Sequence, residues 1–85
     1  MTVARANPAI ISRFGLPVSI SGVIITDPGQ FGTRAGLQFG DVVAVVNDTE
    51  MSTTQDVRDA LTDPGRWVKM DLIRRGQRVS LRFRL

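Results

Sequence analysis

The hydrophobic pattern changes period along the chain, and each change marks an element. Val68, Met70 and Leu72 alternate with Lys69 and Asp71 near the C-terminal end. Val79, Leu81, Phe83 and Leu85 then alternate with Arg78, Ser80, Arg82 and Arg84. Period-two alternation makes a strand with one dry and one wet face, and Gly76 supplies the turn between the two runs. Val42 to Val46 is instead a continuous apolar run, short and mostly β-branched. That predicts a central strand buried on both faces. It is fed by a corner in which Gly36 and Gly40 permit turns that a side chain would forbid, while Asp41 bonds nearby amides. Gly22 to Thr26 is a further strand, closed by Asp27-Pro28-Gly29. Thr2 and Val3 suit a short one.

Two stretches have helical spacing. Asn7-Pro8 is an N-cap followed by proline at the first helical position, with Ile10, Ile11 and Phe14 on one face. Gly15 and Pro17 end that helix. The second begins at Ser52 or Thr53, with Gln55 and Asp56 in its first turn. Val57, Ala60 and Leu61 mark its inward face, and Asp63-Pro64-Gly65 stops it. Gln30 to Thr33 is glycine-interrupted and reads as loop before a single helical turn into Ala35. Asn47-Asp48 ends the central strand. The order is strand, helix, strand, strand, helix, strand, strand. This predicts a small α+β domain: a partly closed antiparallel barrel or sandwich of about five strands with two helices, one over an opening.

At 85 residues the chain holds one domain, residues 1–85, with a modest core. There is no cysteine, so no disulfide contributes and the redox compartment stays open. No apolar run reaches the length of a membrane span, so no membrane insertion is expected. Met1 opens neither a signal nor a transit peptide, so any targeting segment would lie outside this chain. The net charge is +3, but from Arg66 onward seven cations face Asp71 alone.

The missing residue types exclude chemistry. With no histidine and no cysteine, neither a Ser-His-Asp nor a Cys-His arrangement is possible, nor a zinc site of the usual ligands. The glycines form no phosphate loop, since no glycine-rich turn leads into Lys-Ser or Lys-Thr, and no cofactor is expected. Asp27, Asp41, Asp48, Glu50, Asp56, Asp59, Asp63 and Asp71 read as turn, cap and surface groups. Arg78, Arg82 and Arg84 share a face that suggests nucleic acid, but Phe83 points the other way and leaves that face without stacking partners. A solvated face, or contact with an acidic neighbouring domain, is the expectation, with no nucleic acid. Trp67 opens a strand just after a Pro-Gly turn and is placed at the rim.

Several of these segments together resemble one family. Phe14-Gly15-Leu16-Pro17, Gly22 to Thr26, Ala35-Gly36-Leu37, Gly40-Asp41-Val42-Val43 and Asn47 occur in the order of a PDZ domain of the bacterial, circularly permuted type. The helix Asp56 to Leu61 and the Arg74-Arg75-Gly76 hairpin extend the resemblance over essentially the whole chain. It is most similar to the second PDZ domain of the Do/HtrA (DegP-like) periplasmic serine proteases. The resemblance implies a non-catalytic fragment of a larger serine endopeptidase working in bacterial protein quality control, with a periplasmic location. Implied partners are peptides or unfolded protein segments, bound extended or by their C-terminus, and other domains or subunits of the parent. It also implies a peptide groove between the first strand and the second helix, built from Met1, Thr2, Val3, Ala4, Thr54, Val57, Arg58 and Leu61. In the family, a loop whose amides hold a peptide's terminal carboxylate directly precedes that strand, and this chain would supply at most its last residue. The alternatives are a PDZ domain of a site-2-type metalloprotease or type II secretion component, or a small basic nucleic-acid-binding β-domain.

Overall fold

The computed structural model describes residues 1–85. Six strands form one antiparallel sheet: β1 (Thr2–Arg5), β2 (Val23–Asp27), β3 (Val42–Val46), β4 (Thr49–Glu50), β5 (Trp67–Arg74) and β6 (Gln77–Arg84). Three helices accompany them: α1 (Pro8–Phe14), α2 (Gly29–Ala35) and α3 (Thr54–Ala60). The sheet order is β1-β2-β3-β5-β6, with β4 pairing only β3. The sheet is open, so β1 and β6 are its two edges. The α+β class expected from the pattern is the observed one, with one more helix and one more strand, but the expected partial closure into a barrel is absent because β1 and β6 do not pair.

The extra helix is α2, where a loop and a single turn were expected. Gly29 and Gly32 lower its intrinsic propensity, and tertiary contacts override that penalty. The Asp27 carboxylate accepts from the Gly29 amide at 2.9 Å. Phe31 then packs edge-on to Phe83, ring centroids 5.9 Å apart, and Gly32 is buried. The extra strand β4 follows the Asn47-Asp48 turn, whose residues both take positive φ, 47° and 67°. Both are residue types that tolerate this conformation, and the turn folds Thr49 back against Val46.

The two expected helices form for the reasons legible in their caps. Asn7 accepts from the Ile10 amide, Pro8 opens α1, and Gly15 closes it in the left-handed conformation. Thr53 and Asp56 form a reciprocal capping box on α3. Asp56 accepts from the amides of Ser52 and Thr53, and these bonds, Ser52's first, hold its pKa below the ordinary 3.8.

The core gathers Val23, Ile25, Leu37, Val43, Val46, Val57, Val68, Met70, Leu72 and Phe83. The expectation that β3 is buried on both faces holds on one. Val43 and Val46 are buried opposite Leu72 and Met70, whereas Val42, Ala44 and Val45 are half-buried. A register irregularity at Ala44 keeps Val43 and Val46 on the same face despite their odd spacing.

Candidate functional site

One edge of the sheet lies beside a helix, and a cleft runs between them. Met1, Thr2, Val3, Val57, Arg58 and Leu61 line it, enclosing about 420 Å³. Val57 is fully buried and forms the floor, Leu61 and Val3 pack half-buried against the core, and Arg58 is exposed at the mouth. Arg58 forms no salt bridge, so its charge is available to a ligand. Of the eight residues expected at a groove, these six come together. Thr54 sits one turn earlier on α3, outside the cleft lining. Ala4 lies outside it as well.

The hydrogen-bond alternation of β1 explains the position of Ala4. The Ala6 amide donates to the Gly22 carbonyl at 2.8 Å. Bonded pairs recur every second residue of an antiparallel ladder, so Ala4 and Ile24 form the next one. The backbone of Ala4 is therefore spent on β2, while Val3 and Arg5 turn their N–H and C=O groups outward. The Arg5 carbonyl takes only a long 3.4 Å bond from the Asn7 side-chain amide. Arg5 was missed in the sequence, although the period of the strand places it two residues from Val3. An extended chain could bond to Val3 and Arg5 while a side chain enters the cleft over Val57.

A separate cleft of about 380 Å³ is lined in part by Leu16, Ile20, Phe39, Val42, Ile73 and Arg75. It lies over β3 and β5, which pair on both sides and offer no backbone edge. Beside it is a contact between residues far apart in the sequence. Asp41, 1% exposed, accepts from Arg74 Nε at 2.9 Å and from Arg74 Nη2 at 2.7 Å. The Gln38 amide donates to the same carboxylate at 2.9 Å, and Arg74 Nη2 also donates to the Gly36 carbonyl at 2.8 Å. Asp41 thus holds the turn as expected and also ties the start of β3 to the end of β5. Hydrogen bonding to Asp41 raises the Arg74 pKa further.

The other carboxylates act locally. Asp71 accepts from Ser80 Oγ at 2.8 Å and Arg78 at 3.1 Å, and these bonds, Ser80's first, hold its pKa below the ordinary 3.8. Asp59 accepts from Gln55, and Asp63 pairs with Arg66 at 3.6 Å. Nowhere do three or more aspartates or glutamates converge in a metal-binding cluster. No helix is long and apolar enough to cross a membrane.

The cationic face departs from expectation at one residue. Trp67 is at the rim, 59% exposed, and pairs with Arg84 across the β5–β6 ladder. Residues directly opposite share a face, so an aromatic ring does stand among these cations. The alternation with Lys69 already carried that signal.

No protein-family model and no curated protein matches the chain. Solved structures do. The HtrA-type protease AlgW with a decapeptide superposes with a TM-score of 0.77 at 27% identity, over 94% of this chain and 26% of that one. A variant of the same protease with a decapeptide gives 0.73 at 26% identity, over 98% and 26%. The HtrA3 PDZ domain bound to a phage-derived ligand, Phe-Gly-Arg-Trp-Val, gives 0.73 at 18% identity, over 98% and 79%, and supports the fold. The chain spans about a quarter of the AlgW chain.

Proposed function

Because the chain is a PDZ domain of the HtrA type, we propose that its peptide ligand adds as a strand along β1 and sends one side chain into the β1–α3 cleft. The observation that carries this reading is the outward-facing backbone of Val3 and Arg5 beside a cleft floored by Val57. Backbone bonds to these residues give affinity that is blind to sequence, and the cleft selects an apolar side chain. Arg58 at the mouth adds a preference for an acidic peptide residue. With neither histidine nor cysteine, the domain itself can form no Ser-His-Asp or Cys-His arrangement.

For the intact protein the reading is a serine endoprotease of bacterial quality control, with this module presenting extended or C-terminal segments of unfolded proteins, or packing domains and subunits together. The compartment it assigns is the periplasm, checked by release of the full-length protein on osmotic shock. Binding is tested by calorimetry with C-terminal peptides that differ in one acidic or basic residue. Wild type should favour the acidic peptide by about two- to fivefold, the range of an exposed ion pair. Arg58→Glu should reverse that order, and Leu61→Ala should weaken both peptides about tenfold, or about 1.4 kcal/mol. An unchanged order in Arg58→Glu together with unchanged affinity in Leu61→Ala would overturn the groove.

A further inference from the structure

The other edge of the sheet carries a second arrangement that the groove does not use. The two-residue turn Arg75-Gly76, with φ of 52° and 77°, makes Arg74 and Gln77 the first bonded pair of the β5–β6 hairpin. Counting every second pair from there, the backbones of Val79, Leu81 and Phe83 bond to β5. Those of Arg78, Ser80, Arg82 and Arg84 turn outward along a free edge. The same four residues carry exposed side chains on the outer face of the sheet, about 6.8 Å apart along the strand. Arg78 is partly neutralised by Asp71. Lys69 and Arg82, directly opposite each other, form no ion pair, and Arg84 bonds only to the Gly65 carbonyl. Trp67 completes the face.

We propose that the β6 edge is a second docking edge, which takes an extended polypeptide segment with carboxylates at alternate positions. Each outward residue offers N–H and C=O to an added strand, and Arg82 and Arg84 hold a cation above that same point. A strand laid along β6 places its alternate side chains beside those cations, the cross-strand geometry in which opposite charges attract. Carboxylates at successive positions would put half of them on the wrong face. A nucleic acid would use the cations and leave the backbone edge unsatisfied, and one tryptophan set a strand inward makes no stacking row.

The test titrates the ¹⁵N-labelled chain with the acetylated, amidated peptide Thr-Glu-Val-Glu-Thr-Glu-Val-Glu and with a block isomer, Glu-Glu-Glu-Glu-Thr-Val-Thr-Val. Neither has a terminal carboxylate. The alternating peptide should bind at least threefold more tightly than the block isomer and shift the amides of Arg78, Ser80, Arg82 and Arg84. It should also change the emission of Trp67, the one tryptophan. Arg82→Glu, an exposed substitution, should weaken it at least fivefold and favour the lysine-for-glutamate analogue. Equal binding of the two isomers would overturn the proposal, as would shifts confined to β1 and α3. Tighter binding of an eight-nucleotide oligothymidylate would assign the face to nucleic acid instead. Binding of none of the three would leave the cations as protection of a bare edge.

Discussion

Replacing Arg74 by methionine removes one partner of an ion pair whose other member has no route to solvent. The Asp41 carboxylate would be left with the Gln38 amide as its remaining side-chain-bonded donor. Breaking a buried pair from one side costs about 3–5 kcal/mol, because the abandoned charge is desolvated without compensation. The Arg74 side chain is 21% exposed, so water can follow where it leaves, and the low end applies, about 3 kcal/mol. A domain of this size has roughly 4–13 kcal/mol of stability in total, so the loss is a large share. In thermal terms it corresponds to a fall in Tm of about 12 °C or more. Asp41→Asn in the same background removes the orphaned charge and keeps an acceptor for Gln38. The double variant should therefore be more stable than Arg74→Met by about 1–2 kcal/mol. Urea unfolding of wild type, both single variants and the double gives the full cycle. A loss under about 1 kcal/mol for Arg74→Met would place the pair among exposed salt bridges and refute the reasoning.

Acid should weaken the fold through Asp56 and Asp71. Both have folded pKa values below 3.8, so their contribution is complete above that value and lost as pH falls through the folded ones. The urea midpoint should drop between about pH 5 and about pH 2, less steeply in the Asp56→Asn/Asp71→Asn variant; equal slopes would sink this assignment. Glycine substitutions should separate strain from crowding. Gly22→Ala faces a φ of 95° and a Val42 methyl 3.0 Å from the new Cβ, whereas Gly15→Ala faces a φ of 63° with open space. Strain alone costs about 1–2 kcal/mol. Thermal unfolding should show Gly22→Ala losing more than Gly15→Ala, and equal losses would mean that Val42 yields freely.

Most of the fold was legible because its signals are local. Asn7, Pro8 and Gly15 bound α1, Thr53 and Asp56 cap α3, and the alternation through Val68 and Val79 draws the hairpin. Helix α2 was hidden because its sequence argues against it, and what holds it is Phe31 on Phe83, a contact across half the chain. The Asp41–Arg74 pair spans 33 residues, and no local pattern points from one to the other. At the groove, composition and spacing placed Val57 and Leu61 on one helix face, but the resemblance alone brought them to β1. Which β1 residues face outward depends on the ladder phase, set by the Ala6–Gly22 bond. Hence Arg5 went unnamed while Ala4 was included. Trp67 was placed at the rim, where it lies, and its alternation with Lys69 could also have put it on the cationic face.

In the proposed function, β1 and α3 together form the peptide site. Amide chemical shifts of the ¹⁵N-labelled chain, followed during titration with Phe-Gly-Arg-Trp-Val bearing a free C-terminal carboxylate, test it most directly. The largest shifts should fall on Val3, Arg5, Val57, Arg58 and Leu61, with those of Leu16, Phe39 and Arg75 unmoved. Shifts centred on the cleft beside Phe39, or on the β6 edge, with β1 and α3 silent, would contradict it.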